Sequence, residues 1–169
     1  MSNPRGTQEM GTKATGLLAG AIFLLGGCHS SEPRSASPVT DACDVLTPGE
    51  VSSLIGVPIA AGKHIPASST VMCAWSENGA SGESATKVVL NFATLPYFDK
   101  EKAATGNVVV TPVSGVGDDA FFVTSEFGTS LFVRKGNTAI GFSVRERSLP
   151  ADKVMAQERA LGVKAAARL

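Results

Sequence analysis

Between Ala14 and Gly27 the chain reads ATGLLAGAIFLLGG, an apolar run preceded by Arg5 and Lys13 and followed by Cys28. This feature divides the chain before anything else can be read from it. The run is too short to span a bilayer comfortably, because a spanning helix needs about 20 apolar residues. A positively charged segment followed by a short apolar stretch is the pattern of a secretory signal. On that reading residues 1–27 are an address and take no part in a fold. Met10 to Gly27 forms a compact signal by itself, so Met10 is a second candidate start with the same cleavage point. Of the 169 residues, 142 remain after Gly27, enough for one domain with a substantial core.

The run closes on Leu25-Gly26-Gly27-Cys28, which resembles the bacterial lipobox: an aliphatic residue, two small residues and a cysteine. The small residues let an extended chain enter a peptidase cleft. The resemblance implies cleavage before Cys28, a diacylglycerol thioether on its sulfur, and acylation of the new amino terminus. Two or three acyl chains hold a protein far more firmly than one, each buried methylene contributing about 0.8 kcal/mol. The expected location is extracytoplasmic, on the cell membrane or the outer membrane. His29 stands where an Asp would retain a lipoprotein at the inner membrane of a two-membrane bacterium, which favours the outer one.

His29 to Thr40, HSSEPRSASPVT, is rich in serine, proline and charge and has no apolar period, as expected of a flexible tether. The folded domain is expected over 41–169. Leu46-Thr47-Pro48-Gly49-Glu50-Val51 is its sharpest local signal. Thr47 suits a helix cap, Pro48 the first helical position, and Glu50 completes a capping box, with Leu46 and Val51 as a hydrophobic staple. Val51, Leu54 and Ile55 then share a face, and Gly56 stops the helix. Strands are expected over 70–77, 86–94, 107–113, 120–125, 129–134 and 138–147, with a short helix in 96–105 and a helix from Pro150 to the end. Gly136-Asn137 suits a hairpin turn. Val154, Leu161 and Ala165 fall on one face of the last helix, which Gly162 weakens. This order argues an α+β fold, a single antiparallel β-sheet with helices packed against it. Phe121 and Phe122 point to opposite faces of any regular strand, so one of them serves a groove or a second packed layer.

Three cysteines are present. With Cys28 assigned to lipid, Cys43 and Cys73 remain, and two cysteines in an exported domain read most simply as a disulfide. The alternative is a reactive thiol, which needs a nearby base. His64 is the only histidine outside the tether, in a polar, proline-flanked loop. The same scarcity argues against a serine hydrolase or a zinc site, and no G-x-S-x-G motif occurs. Gly115 to Ala120, GVGDDA, reads as a tight turn before a strand, with Asp118 and Asp119 solvated. Trp75 and the phenylalanines 121, 122, 127 and 132 read as core. Arg134, Lys135, Arg145 and Arg147 read as a charged sheet edge. The part after Gly27 has 13 basic and 14 acidic residues, since Arg5, Lys13 and Glu9 precede it. That balance gives no electrostatic footprint for nucleic acid.

The motifs C-D-V-L-T-P-G-E-V (Cys43 to Val51), C-A-W (Cys73 to Trp75), G-V-G-D-D-A (Gly115 to Ala120) and L-F-V-R-K-G-N (Leu131 to Asn137), in this order behind a lipobox, resemble a family of uncharacterised bacterial lipoproteins well represented in actinobacteria. The resemblance spans most of 41–169. It implies a cell-envelope domain with a Cys43–Cys73 bridge and carries over no catalytic residue. The expectation is therefore a membrane-anchored, non-enzymatic binding or interaction domain, with no cofactor or metal. Its partner would be an envelope protein, and the alternative is a carrier or sensor of a small apolar ligand. A hydrolase using His64 is the third reading.

Overall fold

The computed structural model describes residues 39–82, 85–146 and 148–169. Residues 1–27, Cys28 and the tether up to residue 38 lie outside the described residues, as does Arg147. Among the described residues seven strands form one antiparallel sheet: β1 (Lys63–His64), β2 (Met72–Ser76), β3 (Lys87–Ala93), β4 (Val109–Pro112), β5 (Asp119–Ser125), β6 (Gly128–Lys135) and β7 (Thr138–Arg145). Three helices accompany them: α1 (Pro48–Ile55), α2 (Leu95–Lys102) and α3 (Ala151–Ala166). The α+β expectation holds. The spatial order β1-β2-β3-β7-β6-β5-β4 joins two meanders, with β7 returning to lie between β3 and β6. Seven residue pairs, from Lys87↔Arg145 to Ala93↔Ala139, make that seam.

Alternation along the strands produces two cores. Val88 and Leu90 of β3, Ile140, Phe142 and Val144 of β7, and Leu131 and Val133 of β6 face α1 and α3 and bury completely or nearly so. The opposite face holds a smaller cluster of Phe121, Phe132 and Ala139 under Phe98 of α2. Phe121 stacks on Phe132 at 5.3 Å and meets Phe98 edge-on at 4.9 Å, while Phe122 lies in the main core. The neighbouring phenylalanines thus serve two layers. Gly162 lets α3 approach β6 closely, since a Cβ there would stand 2.6 Å from Leu131 Cδ2.

The sheet's edges are β1, only two residues long, and β4, which carries Pro112; shortness and proline both discourage edge pairing. Arg134, Lys135 and Arg145 lie on the interior strands β6 and β7, so the expected basic sheet edge is corrected. The reason is topological: the hairpin is inserted between β3 and β5. Arg134 sits 5.9 Å over the Phe98 ring, and Lys135 Nζ is 2.7 Å from Asp118.

The first helix forms as its residues dictate. Thr47 Oγ1 accepts from the Glu50 amide, the Glu50 carboxylate accepts from the Thr47 amide at 3.0 Å, and Gly56 closes the helix at φ 89°. Glu50 also receives a bidentate pair from Arg168 at 2.7 and 2.8 Å, with Lys164 3.3 Å away. One carboxylate therefore caps α1 and ties it to the end of α3. The Arg168 hydrogen bonds, followed by the Thr47 amide, hold its pKa down at about 2. An acid depressed from its ordinary 4.5 stabilises the fold fully above that value and loses the contribution as pH falls towards 2. Glu50→Ala should cost about 1–2 kcal/mol at pH 7, the scale of lost hydrogen bonds to a charged group discounted for solvent exposure. Urea denaturation should show the gap to the parent chain closing between pH 4.5 and pH 2.

Candidate functional site

Two places in the fold bring polar chemistry together. The first lies where β6 and β7 part. Their ladder runs from Lys135↔Thr138 to Leu131↔Phe142, yet β6 begins at Gly128 and β7 continues to Arg145. Beyond Leu131 and Phe142 the strands no longer pair with each other, although β6 still pairs with β5 and β7 with β3. Glu158 of α3 fills the fork. Its Oε1 accepts the Val144 amide and its Oε2 the Thr129 hydroxyl, both at 2.9 Å. A side-chain carboxylate thus takes the place of a backbone acceptor for an amide inside the sheet.

Glu158 is fully buried, and among the described residues no Lys, Arg or His pairs with it. Burial pushes its pKa up to about 7, against the opposing effect of the Val144 and Thr129 hydrogen bonds. Taking a carboxylate out of water disfavours its charged form, and two donors offset this only in part.

A cleft of about 470 Å³ opens beside the fork, lined by Thr129, Val144, Phe127, Leu149, Val154 and the charged rim residues Glu126, Arg145 and Glu146, among others. Both hydrogen-bond partners of Glu158 therefore form part of its wall. Phe127, expected in the core, is 92% exposed. It occupies the two-residue turn closed by Ser125↔Gly128, where strand alternation no longer governs which way a side chain points. Glu146 is held in place by Ser148 and Thr86, whose hydrogen bonds keep its pKa low.

The second place is the expected cysteine pair. Cys43 and Cys73 are bridged, with Cα atoms 5.0 Å apart, and Trp75 is buried two residues along the same strand. The bridge removes the reactive-thiol alternative in this state. His64 pairs with Cys73 across β1 and β2, and its Nε2 lies 2.8 Å from Asp41 Oδ1. Asp41 Oδ1 also accepts the Cys43 amide at 2.8 Å. The His64 contact and then the Cys43 amide lower the Asp41 pKa. An ionised carboxylate only accepts, so Nε2 carries the hydrogen. His64 therefore has a carboxylate partner but no free nucleophile, because the nearby sulfur is spent in the bridge.

The remaining sequence candidates have structural partners. Asp118 accepts from Lys135 Nζ and from the Gly136 amide at 2.7 Å, pinning the β6–β7 turn. Asp119 pairs with Lys102 at 2.6 Å. Gly117 bends the chain here at φ 59°, where a Cβ would stand 2.8 Å from Val133 Cγ1. The pair does not act as one carboxylate site. No described helix is long and apolar enough to cross a membrane.

Sequence reasoning passed over Glu158, Thr129 and Asp41. The signal for Glu158 was present: positions 154, 158, 161 and 165 form one helical stripe, and Glu158 is its only charged member. No protein-family model, curated protein or solved structure matches the chain.

Glu158 gives a direct pH test. Below about 4.5 the carboxyl is protonated in both folded and unfolded chains, and above about 7 it is ionised in both. Between these values only the unfolded chain releases the proton, so stability falls as pH rises. At about 1.4 kcal/mol per pH unit the full span is about 3 kcal/mol. Glu158→Gln keeps an acceptor for Val144 and can donate to Thr129. Its unfolding free energy should lack this decline between pH 4.5 and 7, measured by denaturant titration against the parent chain.

Proposed function

We propose that the chain is an exported bacterial lipoprotein whose domain is a non-enzymatic binding module, with the cleft at the β6–β7 fork as its ligand site. The observation that carries the binding reading is the cleft itself, about 470 Å³ with apolar walls and a charged rim. Ligand pockets combine such walls with a few placed polar groups, and their volumes run from about 300 to 1,000 Å³. A small, largely apolar ligand fits this chemistry: its apolar part lies against Leu149, Val154 and Phe127, and a polar end meets Arg145, Glu126 or Glu146. Binding also covers part of the exposed Phe127 ring, removing apolar area from water. The cleft supports the small-ligand carrier over the envelope-protein partner. His64 lacks a free nucleophile beside it, which leaves the hydrolase reading without support.

Anchoring rests on Leu25-Gly26-Gly27-Cys28 and the charged and apolar segments before it. In a bacterial host, metabolic labelling with a fatty acid should mark the chain, and Cys28→Ala should abolish the label and release the protein from the membrane fraction. Label retained in the variant would overturn the assignment. For the cleft, a neutral solvatochromic dye should bind with a blue-shifted emission. Leu149→Trp, at an exposed position of the cleft wall, fills the space and should weaken that binding by at least about tenfold with the melting temperature little changed. Equal binding by the variant would move the ligand elsewhere.

A further inference from the structure

The cluster around the disulfide contains more ligating groups than a structural bridge needs. One ligand atom each from Asp41, Cys43 and His64 lie within 4.8 Å of one another, and all three residues are partly open to solvent. Cys73 Sγ does not lie within that spacing of all three, but it is bonded to Cys43 Sγ and is freed with it when the bridge opens. Two sulfurs, an imidazole nitrogen and a carboxylate oxygen make a complete tetrahedral set. In a zinc site of this kind neighbouring ligand atoms stand roughly 3.3–3.8 Å apart, given Zn–S near 2.3 Å and Zn–N near 2.0 Å. The three atoms here lie within 4.8 Å of one another, so the side chains must draw together, and Cys73 must turn towards them, to complete the set.

We propose that Cys43, Cys73, His64 and Asp41 form a redox-gated site for a thiophilic divalent cation such as Zn²⁺. With the bridge closed, neither sulfur is a thiolate and the site is shut. A dithiol reductant opens it. Two electrons and two protons pass from the dithiol to the cystine, the Cys43–Cys73 bond breaks to two thiols, and the reductant closes to its own disulfide. The cation then displaces the two thiol protons, and the hydrogen on His64 Nε2 moves to Nδ1 through solvent, so that Nε2 and Asp41 Oδ1, already 2.8 Å apart, are both free to ligate. Thiolate and imidazole ligands select Zn²⁺ or Cd²⁺ over Mg²⁺ or Ca²⁺, which require oxygen donors.

Three features of the fold keep the set assembled once the bridge opens. Cys73 and His64 are register partners on adjacent strands, so backbone hydrogen bonding holds them side by side. The Ala42 amide donates to the Thr70 carbonyl at 2.8 Å, tying the segment of Asp41 and Cys43 to the start of β2 without the sulfurs. Gly62 packs its backbone directly on the site: a Cβ there would stand 2.6 Å from Cys73 Sγ and 2.8 Å from Trp75 Nε1, so the chain lies against the sulfur and the indole. The same proximity makes Trp75, the single tryptophan, a reporter of what happens at the sulfurs.

The test uses the full chain carrying Cys28→Ala, so that only the two site sulfurs remain. The protein is reduced with a phosphine, desalted without oxygen and titrated with Co²⁺. The expected result is one equivalent bound with the intense visible bands of tetrahedral cobalt and a thiolate charge-transfer band. Trp75 emission should change in step, and Zn²⁺ should displace the cobalt. The oxidised chain should bind none. His64→Ala and Asp41→Asn should each weaken binding by at least about tenfold. In the oxidised form their melting curves report whether the fold is intact, and Cys43→Ser with Cys73→Ser should bind nothing. The proposal is overturned if the reduced chain takes up no cobalt. It is also overturned if His64→Ala and Asp41→Asn bind as tightly as the parent, for then two thiols alone chelate. Loss of the folded amide spectrum on reduction, before any metal is added, overturns it as well.

Discussion

The seam between β3 and β7 is the constraint on which the rest of the domain depends. It joins a meander of β1 to β3 to a meander of β4 to β7, with the α2 segment lying between them in the chain. Antiparallel pairing over seven residues puts Val88, Leu90 and Phe92 level with Val144, Phe142 and Ile140. Six apolar side chains thereby share one face at the centre of the sheet. A slip of one residue would turn either set to the other face, so burial and register enforce each other. Helix α3 has a continuous apolar floor only because this seam forms, and α1 docks in turn against α3 through Glu50 and Arg168.

The same seam explains the fork. Strand β7 has two neighbours, and beyond Phe142 it stays with β3 while β6 remains with β5. Sheet twist turns neighbouring strands relative to one another, and a strand held by different partners along its two sides can part from one of them. The parting frees a donor at Val144 that the interior must satisfy. An apolar side chain at position 158 would fill the volume and leave that amide orphaned, at a cost of about 1–3 kcal/mol. Glu158 satisfies the amide and the Thr129 hydroxyl at once, at the expense of burying an acid. The cleft beside it is thus a consequence of sheet geometry, with the acid as its structural counterpart.

Legibility in the sequence followed the range of the determining interactions. Helix α1 was readable residue by residue because its cap, staple and stop all lie within ten positions of one another. The six longer strands were readable from alternation or from β-branched and aromatic content, and the two layers from the Phe121-Phe122 pair. Strand β1 was not, because two residues carry no period and Lys63–His64 is a strand only by virtue of pairing with Ala74 and Cys73. The basic residues of β6 and β7 were misread as an edge because no local pattern reveals where a hairpin is inserted. Phe127 failed for a related reason: a two-residue turn suspends alternation, so its apolar character predicted burial that its position denies.

The candidate sites were the least legible because each is assembled across the sheet from residues distant in sequence. Asp41, His64 and Cys73 meet through the β1–β2 ladder and the short turn that Asp41 caps. Thr129, Val144 and Glu158 meet where that order of strands breaks down. The two sites use opposite devices. In the first, regular pairing of β1 with β2 sets His64 beside Cys73, and the turn capped by Asp41 brings Cys43 to them. In the second, interrupted pairing leaves a backbone donor that only an imported acceptor can meet. Both occupy the face shared with the main core, since His64 and Cys73 are register partners and Leu90, Phe142 and Leu131 continue the same cross-strand row. A change at either place is therefore transmitted to packed apolar side chains rather than to loops, which is the condition for a local charge or redox event to alter a domain as a whole.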